Sequence, residues 1–218
     1  MRVLFVTVCI VLADQVTKLI VKGLSLPSLG IRWEGMRYGQ SIPVVGDFLR
    51  WTYIENSGMA FGIDPGGGKL IFSAISFLAG VAILFYLYKM RNESLIVRLP
   101  LAMILGGAVG NLIDRTLYGV FFDGGALFTG RVVDFIDLDF FDVNFLGIHL
   151  SRWPVFNIAD ASVTTGVVLL LLFSHRVLGE QESRDAGMSP SDGSLPFSSD
   201  SGSMVAEPDR TTTEHPSH

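Results

Sequence analysis

Between Lys69 and Lys89 the chain reads LIFSAISFLAGVAILFYLY, residues 70–88, nineteen positions without a charge. At about 1.5 Å of rise per residue a helix over this run spans nearly all of the roughly 30 Å of a bilayer's hydrocarbon core. The bracketing lysines fit head-group layers on either side. Three further segments follow the same pattern less cleanly. Trp153–Ser174 is uncharged except at Asp160, Leu99–Ile113 ends at Asp114-Arg115 and extends to about Tyr118, and Val3–Val21 is interrupted by Asp14 and Lys18. The expected fold is therefore a membrane all-α protein with four transmembrane helices, at about 3–22, 69–89, 99–119 and 153–175. Composition agrees, since 49% of the 218 residues are hydrophobic and only 17% are charged.

The first span is expected to be retained. Leu12-Ala13-Asp14-Gln15 offers no small-residue cleavage site, and Cys9 lies inside the apolar run. Lys89, Arg91 and Arg98 crowd one short loop, whereas residues 23–68 spread three arginines over a long segment. The positive-inside tendency then places loop 89–98 and both termini in the cytoplasm, with 23–68 and 119–152 facing outward. Residues 41–64 are rich in β-branched and aromatic residues with turn signals at Pro43 and Gly46, and predict a small extracytoplasmic β-rich platform. Residues 119–152 alternate Phe and Asp and predict an interface-riding loop. From Gln181 onward the chain holds seven Asp or Glu against two Arg, so the formal net charge of −5 belongs to this stretch. Its Ser-, Pro- and Asp-rich composition predicts a disordered cytoplasmic tail over 181–218, appended to a membrane domain over 1–180.

That topology brings costly groups to one depth. A carboxylate at membrane depth costs several kcal/mol unless it is paired, protonated or facing a polar cavity. Asp14 precedes the outer end of span 1 by roughly 12 Å of helix, and Asp160 lies roughly 10 Å inside span 4. Asn111, Asp114 and Arg115 sit near the outer end of span 3. Asn157, Asp160 and Ala161 share i, i+3, i+4 spacing on one helical face. Asp14 and Lys18 are placed to form an i, i+4 pair, for which structural neutralisation competes with catalysis. Val132-Val133-Asp134-Phe135-Ile136-Asp137 alternates like a strand, with Asp134 and Asp137 on different faces. Two adjacent carboxylates suit peptide hydrolysis without metal: one takes a proton from water, and the other polarises the carbonyl. No cofactor or metal is expected, because four scattered histidines and one cysteine make no cluster. No basic field exists to hold nucleic acid. A small proton- or ion-coupled transporter and polar glue between helices are the competing readings.

Five ordered blocks resemble the lipoprotein signal peptidase (signal peptidase II) family. They are Asp14-Gln15-Val16-Thr17-Lys18, Asn56-Ser57-Gly58-Met59-Ala60-Phe61, Gly110-Asn111-Leu112-Ile113-Asp114-Arg115, Val132-Val133-Asp134-Phe135 and Trp153-Pro154-Val155-Phe156-Asn157-Ile158-Ala159-Asp160. The resemblance covers roughly residues 3–175. It implies a four-helix aspartyl peptidase of the bacterial inner membrane, with its site near the outer face. Asp134 and Asp160 would be the catalytic dyad. Asp14, Lys18, Asn56, Gly58, Asn111, Asp114, Arg115, Asn157 and Ala161 would line or stabilise the site, Asp114 in a structural capacity. Its substrates would be prolipoproteins cleaved on the amino side of a diacylglyceryl-modified cysteine. Membrane phospholipid is the expected surrounding, and a monomer the expected state. The stretches 116–131 and 138–152 are longer than the family's usual connections.

Overall fold

The structure, a computed structural model, describes residues 2–58, 68–139, 143–145, 148–150 and 152–187. The helices are α1 (Leu4–Lys22), α2 (Gly68–Lys89), α3 (Leu95–Ile113), α4 (Gly119–Phe122) and α5 (Ile158–Gly187). A π-helical turn, Asp114–Tyr118, joins α3 to α4 into one rod from Leu95 to Phe122. Leu4–Lys22 and Leu95–Phe122 are long and apolar enough to cross a membrane, and Ser73–Lys89 and Ile158–Phe173 form shorter apolar helices. Large apolar side chains point outward from these helices, among them Phe5, Leu12, Phe85 and Leu171. Polar ones point inward: Asp14, Lys18 and Asp114 are buried. This inversion of the soluble pattern marks a membrane protein.

Two cores stack along the helices. Val3, Leu87, Val97, Leu101, Ala102 and Leu105 pack where α1, α2 and α3 meet. Val21, Tyr53, Tyr118, Val133 and Phe135 pack where the helices meet the strands. Between them the helices come close because glycine leaves room. A Cβ on Gly107 would meet the Ala159 carbonyl oxygen at 2.2 Å, and one on Gly110 would meet Asp14 Oδ2 at 2.7 Å.

The strands are β1 (Leu24–Leu26), β2 (Ile31–Trp33), β3 (Ser41–Val45), β4 (Leu49–Asn56), β5 (Val132–Leu138), β6 (Val143–Phe145) and β7 (Ile148–Leu150). β1 pairs with β2 and β6 with β7, while β3, β4 and β5 form an antiparallel sheet in that order. Its register sets Ile54 opposite Asp134 and Asn56 opposite Val132, with an irregularity between Trp51 and Ile54.

Four expectations change. The platform is not built from 23–68 alone, because β5 supplies its third strand; segment 119–152 is thus a structural member and not only an interfacial loop. The last helix begins at Ile158, not at Trp153. Pro154 has no N–H and disfavours helix before it, and Phe156 instead exchanges hydrogen bonds with Ile136 along the free edge of β5. The third helix begins at Leu95, four residues before the expected Leu99. The tail does not begin as coil at Gln181, since α5 continues to Gly187. Good helix formers carry it that far. Residues 188–218 and 59–64 lie outside the described residues.

Candidate active site

The site grows from the first turn of α5. Asn157 is the residue before the helix, and its Oδ1 accepts the Asp160 N–H at 2.9 Å while Asp160 Oδ2 accepts the Asn157 N–H at 3.3 Å. This reciprocal capping box satisfies two donors that a helix start leaves free. A third, the Ala159 N–H, goes to Asp14 Oδ1 at 2.9 Å. Ala161 opens the helical ladder by donating its N–H to the Asn157 carbonyl at 3.1 Å. The positive end of the α5 dipole therefore lies among carboxylates, where it favours negative charge.

Three asparagines aim their amide groups at Asp134 and Asp160, each turned by a partner that can only donate. Asn157 has its oxygen taken by the Asp160 N–H, so its Nδ2 faces Asp134 Oδ1 at 2.6 Å. Asn111 has its oxygen taken by the Lys18 ammonium at 3.0 Å, so its Nδ2 faces Asp160 Oδ1 at 2.8 Å. Asn56 has its oxygen taken by the Gly58 N–H at 2.8 Å, and its side chain hydrogen-bonds Asp134. That turn needs the φ of +80° at Gly58, which glycine adopts without strain. An amide has one accepting and one donating end, so fixing the first fixes the second.

Asp134 sits on β5, almost fully buried. Burial, followed by the like charge of Asp160, raises its carboxyl to about 7, against weaker opposing effects from Asn157, Lys18 and Asn56. Asp137, on the opposite face of β5, takes a different part. It bonds Thr52 at 2.6 Å and Arg152 at 2.9 Å, tying the chain before α5 to the sheet.

Behind the dyad lies a fully paired cluster. Lys18 Nζ stands 2.8 Å from both Asp14 Oδ2 and Asp114 Oδ2. Gln15 Nε2 bonds Asp114 Oδ1 at 2.8 Å and the Gly110 carbonyl at 3.1 Å, and Gln15 Oε1 accepts the Tyr118 hydroxyl at 3.1 Å. Asp114 Oδ2 also accepts the Val133 N–H at 3.1 Å, one residue before Asp134 on β5. Asp114 thus ties α3's end to β5, the strand of Asp134. Arg115, on the next residue, lies within electrostatic reach of Asp114, Asp134 and Asp160.

The structure gathers all of the expected residues into one region, with Ala161 contributing only backbone and a small side chain. Reading the sequence missed Gln15 and Tyr118 as members of the cluster. Gln15 was visible beside Asp14 but is uncharged, and its partners come from a helix about a hundred positions away.

The signal peptidase (SPase) II family matches residues 6–176. The chain belongs to the signal peptidase II family. A lipoprotein signal peptidase of Chlorobaculum tepidum is 37% identical over 170 residues, covering 76% of this chain and 89% of the relative. Another, of Halothermothrix orenii, is 36% identical over 171 residues, covering 78% and 93%. A solved bacterial membrane enzyme aligns with a TM-score of 0.56 at 30% identity over 78% of this chain and 90% of its own. A second aligns with a TM-score of 0.55 at 28% identity over 88% and 93%. This signal peptidase II member is a membrane-embedded protease, and the transporter reading of its buried acids falls away.

Proposed function

We propose that this chain is an aspartyl endopeptidase that removes signal peptides from prolipoproteins, cutting on the amino side of a diacylglyceryl-modified cysteine. The observation that carries the reading is Asn157. Its side chain donates to Asp134 at 2.6 Å while its backbone N–H donates to Asp160 at 3.3 Å, so one residue holds two carboxylates together. The prolipoprotein substrate is suggested by relatives that bear the name lipoprotein signal peptidase.

In the proposed reaction Asp160 takes a proton from water as the oxygen attacks the scissile carbonyl carbon. Asp134, protonated at the start, gives its proton to the carbonyl oxygen, which yields a neutral gem-diol. Asp160 then passes its proton to the departing amine and Asp134 recovers one from the collapsing diol. The C–N bond breaks, one water is consumed, and the dyad returns to its starting state. The amide donors hold both carboxylates in position without adding a full charge.

α1, α2, the rod from Leu95 to Phe122, and α5 each cross the bacterial inner membrane, with both chain ends in the cytoplasm. The sheet then rests on the outer leaflet over the dyad, and a substrate tethered by its lipid arrives sideways as a prolipoprotein bound to a single enzyme chain. Purified enzyme given a lipid-modified prolipoprotein should release the signal peptide, and Asp160→Asn should not. No release by the wild type, or near-wild-type release by the variant, overturns the proposal.

A further inference from the structure

Asn157 reaches the site at the end of an extended segment, and the far end of that segment is held by Arg152. Residues 152–156 run antiparallel to β5 along its free edge. The Trp153 N–H donates to the Leu138 carbonyl at 3.1 Å, and the Phe156 N–H to the Ile136 carbonyl at 3.0 Å. The Phe156 carbonyl accepts in turn from the N–H groups of Ile136 at 2.8 Å and Phe135 at 3.0 Å. Between these rungs Pro154 has no N–H to offer. The pairing is short and interrupted, yet a slip of one residue would turn Asn157 away from Asp134.

Arg152 closes the end of this ladder remote from Asn157. Its Nε donates to Asp137 Oδ1 at 2.9 Å, one terminal nitrogen to Asp139 Oδ2 at 3.0 Å, and the other to the Asp47 carbonyl at 3.1 Å. Three directed bonds from one planar fork fix a position as well as a charge. The anchor is itself tied in. Asp137 Oδ2 accepts the Thr52 hydroxyl at 2.6 Å. Because Thr52 gives its proton there, Ser41 is the donor in the 2.8 Å contact between the two hydroxyls. Ser41 is on β3, Thr52 on β4 and Asp137 on β5, so one guanidinium is fastened to all three strands of the sheet.

Burial decides that this pair matters. An exposed pair such as Arg32 and Glu34, with side chains 78% and 80% exposed, contributes little. The Asp137 side chain is only 9% exposed. It projects from the face of β5 opposite to Asp134, so Arg152 bonds the side of the strand turned away from the dyad. What Arg152 sets is where Asn157 stands, five residues on, with Nδ2 at 2.6 Å from Asp134 Oδ1 and its N–H at 3.3 Å from Asp160 Oδ2.

We infer that Arg152 is a positioning residue for the peptidase site: by pinning residues 152–156 to β5, it fixes the register at which Asn157 bridges Asp134 and Asp160. This role rests on the dyad proposed above. Without the pin the segment frays from Arg152 onward, and the hold of Asn157 on Asp134 loosens.

The test compares the purified full chain with Arg152→Gln and Arg152→Lys, on a lipid-modified prolipoprotein and per folded molecule. Arg152→Gln should lower kcat by about tenfold, less than the roughly 10²-fold of losing an oriented hydrogen bond outright, with KM within about twofold. Arg152→Lys keeps the charge but not the fork, so it should show the same changes at smaller size, and it serves if Arg152→Gln does not fold. Arg32→Gln should change neither constant. Asp137→Asn combined with Arg152→Gln should lose no more than about twofold beyond Arg152→Gln alone. Multiplied losses would make the two residues independent and overturn the inference.

A second readout needs no cleavage. The charged groups around Asp134 are Asp160, Lys18 and Arg115. Burial and the like charge of Asp160 raise its carboxyl, and the Asn157 amide is the foremost effect opposing them. When Asn157 loosens, the carboxyl rises further. In a pH series of thermal unfolding, stability falls with rising pH and levels off above the folded carboxyl's range. For Arg152→Gln that levelling point should move up by about half a pH unit or more, and the decline of cleavage at high pH should move with it. General destabilisation would lower the whole curve without moving that point. A levelling point shared with the wild type, or a loss carried wholly by KM, would overturn the inference. Asp160→Asn measured in parallel keeps the two proposals apart. If the wild type does not cleave, the peptidase proposal falls, while the unfolding series still decides whether Arg152 holds Asn157 against Asp134.

Discussion

Two pairs of carboxylates lie side by side in this protein and are treated in opposite ways. Asp14 and Asp114 share an ammonium, Lys18, at 2.8 Å from each, and all three side chains are buried. Asp134 and Asp160 instead receive amide donors, from Asn157, Asn56 and Asn111. A buried cation pairs its carboxylates by charge; an amide positions a carboxylate without adding a full charge. The residue type is the same in both pairs, and Asp14, Asp114 and Asp134 are buried while Asp160 is half-buried. What differs most is the partner, and in the proposed reaction that partner separates framework from chemistry.

The sharpest way to break this contrast is to neutralise one acid from each pair. Asp134→Asn and Asp160→Asn are each expected to lower cleavage by about 10³-fold or more, since an amide neither gives nor takes the required proton. Membrane abundance should hold. Asp14→Ala is expected to act through folding, because it strips Lys18 of one partner and leaves the Ala159 N–H unsatisfied. Breaking a buried pair in this way costs about 3–5 kcal/mol, so abundance and thermal stability should drop with activity. Thermal unfolding and cleavage measured on the same samples check this, and identical signatures for the two pairs would erase the distinction.

Asn111 joins the pairs, so it offers an intermediate effect. Asn111→Asp keeps an oxygen for Lys18 but turns the donor facing Asp160 into a second acceptor. Cleavage should fall by about 10²-fold, the scale of losing one oriented hydrogen bond at a reacting group, with abundance near wild type. A variant as active as the wild type would show that the orientation set by Lys18 is idle.

The third expectation is in pH. Asp134 is raised to about 7 by burial and by the neighbouring Asp160. The proposed mechanism needs it protonated, so cleavage should decline as pH rises through about 7. The same shift has a sign for stability: the folded chain holds a proton that the unfolded chain has lost, so stability falls as pH rises from the ordinary carboxylate range toward 7. Asp134→Asn removes that slope, and the inactive variant should be at least as stable as the wild type at neutral pH. A pH series of thermal unfolding for both proteins reads this directly.

The contrast was only half visible in the chain. Uncharged length identified α2, and block order identified Asp134 and Asp160. The expected i, i+4 pair of Asp14 and Lys18 forms, because it depends only on helical spacing. What the sequence concealed was long-range. Spacing puts Asn157 on a helical face with Asp160, yet it caps the helix, a difference decided by Phe156 pairing with Ile136. The alternation around Asp134 is legible as a strand, but its pairing with β4, which makes it part of the sheet, is not. Lys18 reaching Asn111 and Asp114 joins residues more than ninety positions apart. No local pattern reports such contacts.

The smallest effect is expected at the other end of the chain. The acidic stretch begins at Gln181, but α5 continues through Gly187, so the change of composition does not coincide with a change of structure. A helix gains stability with each residue added beyond its nucleus, and removing 181–187 would shorten α5 and move a chain end toward its apolar part. Removing only 188–218 takes away a segment with too few apolar residues to pack against the spans. The two truncations therefore separate helix from tail. Loss of 188–218 should leave cleavage and abundance unchanged within about twofold, the scatter of a surface change of a few tenths of a kcal/mol. Loss from 181 onward should lower thermal stability modestly while the dyad, at the opposite end of α5, keeps its turnover per folded molecule. Cleavage normalised to membrane abundance checks both. A large drop on removing 188–218 alone would give the acidic tail a part in the reaction, and the division between charged framework and titrating dyad would no longer describe the whole enzyme.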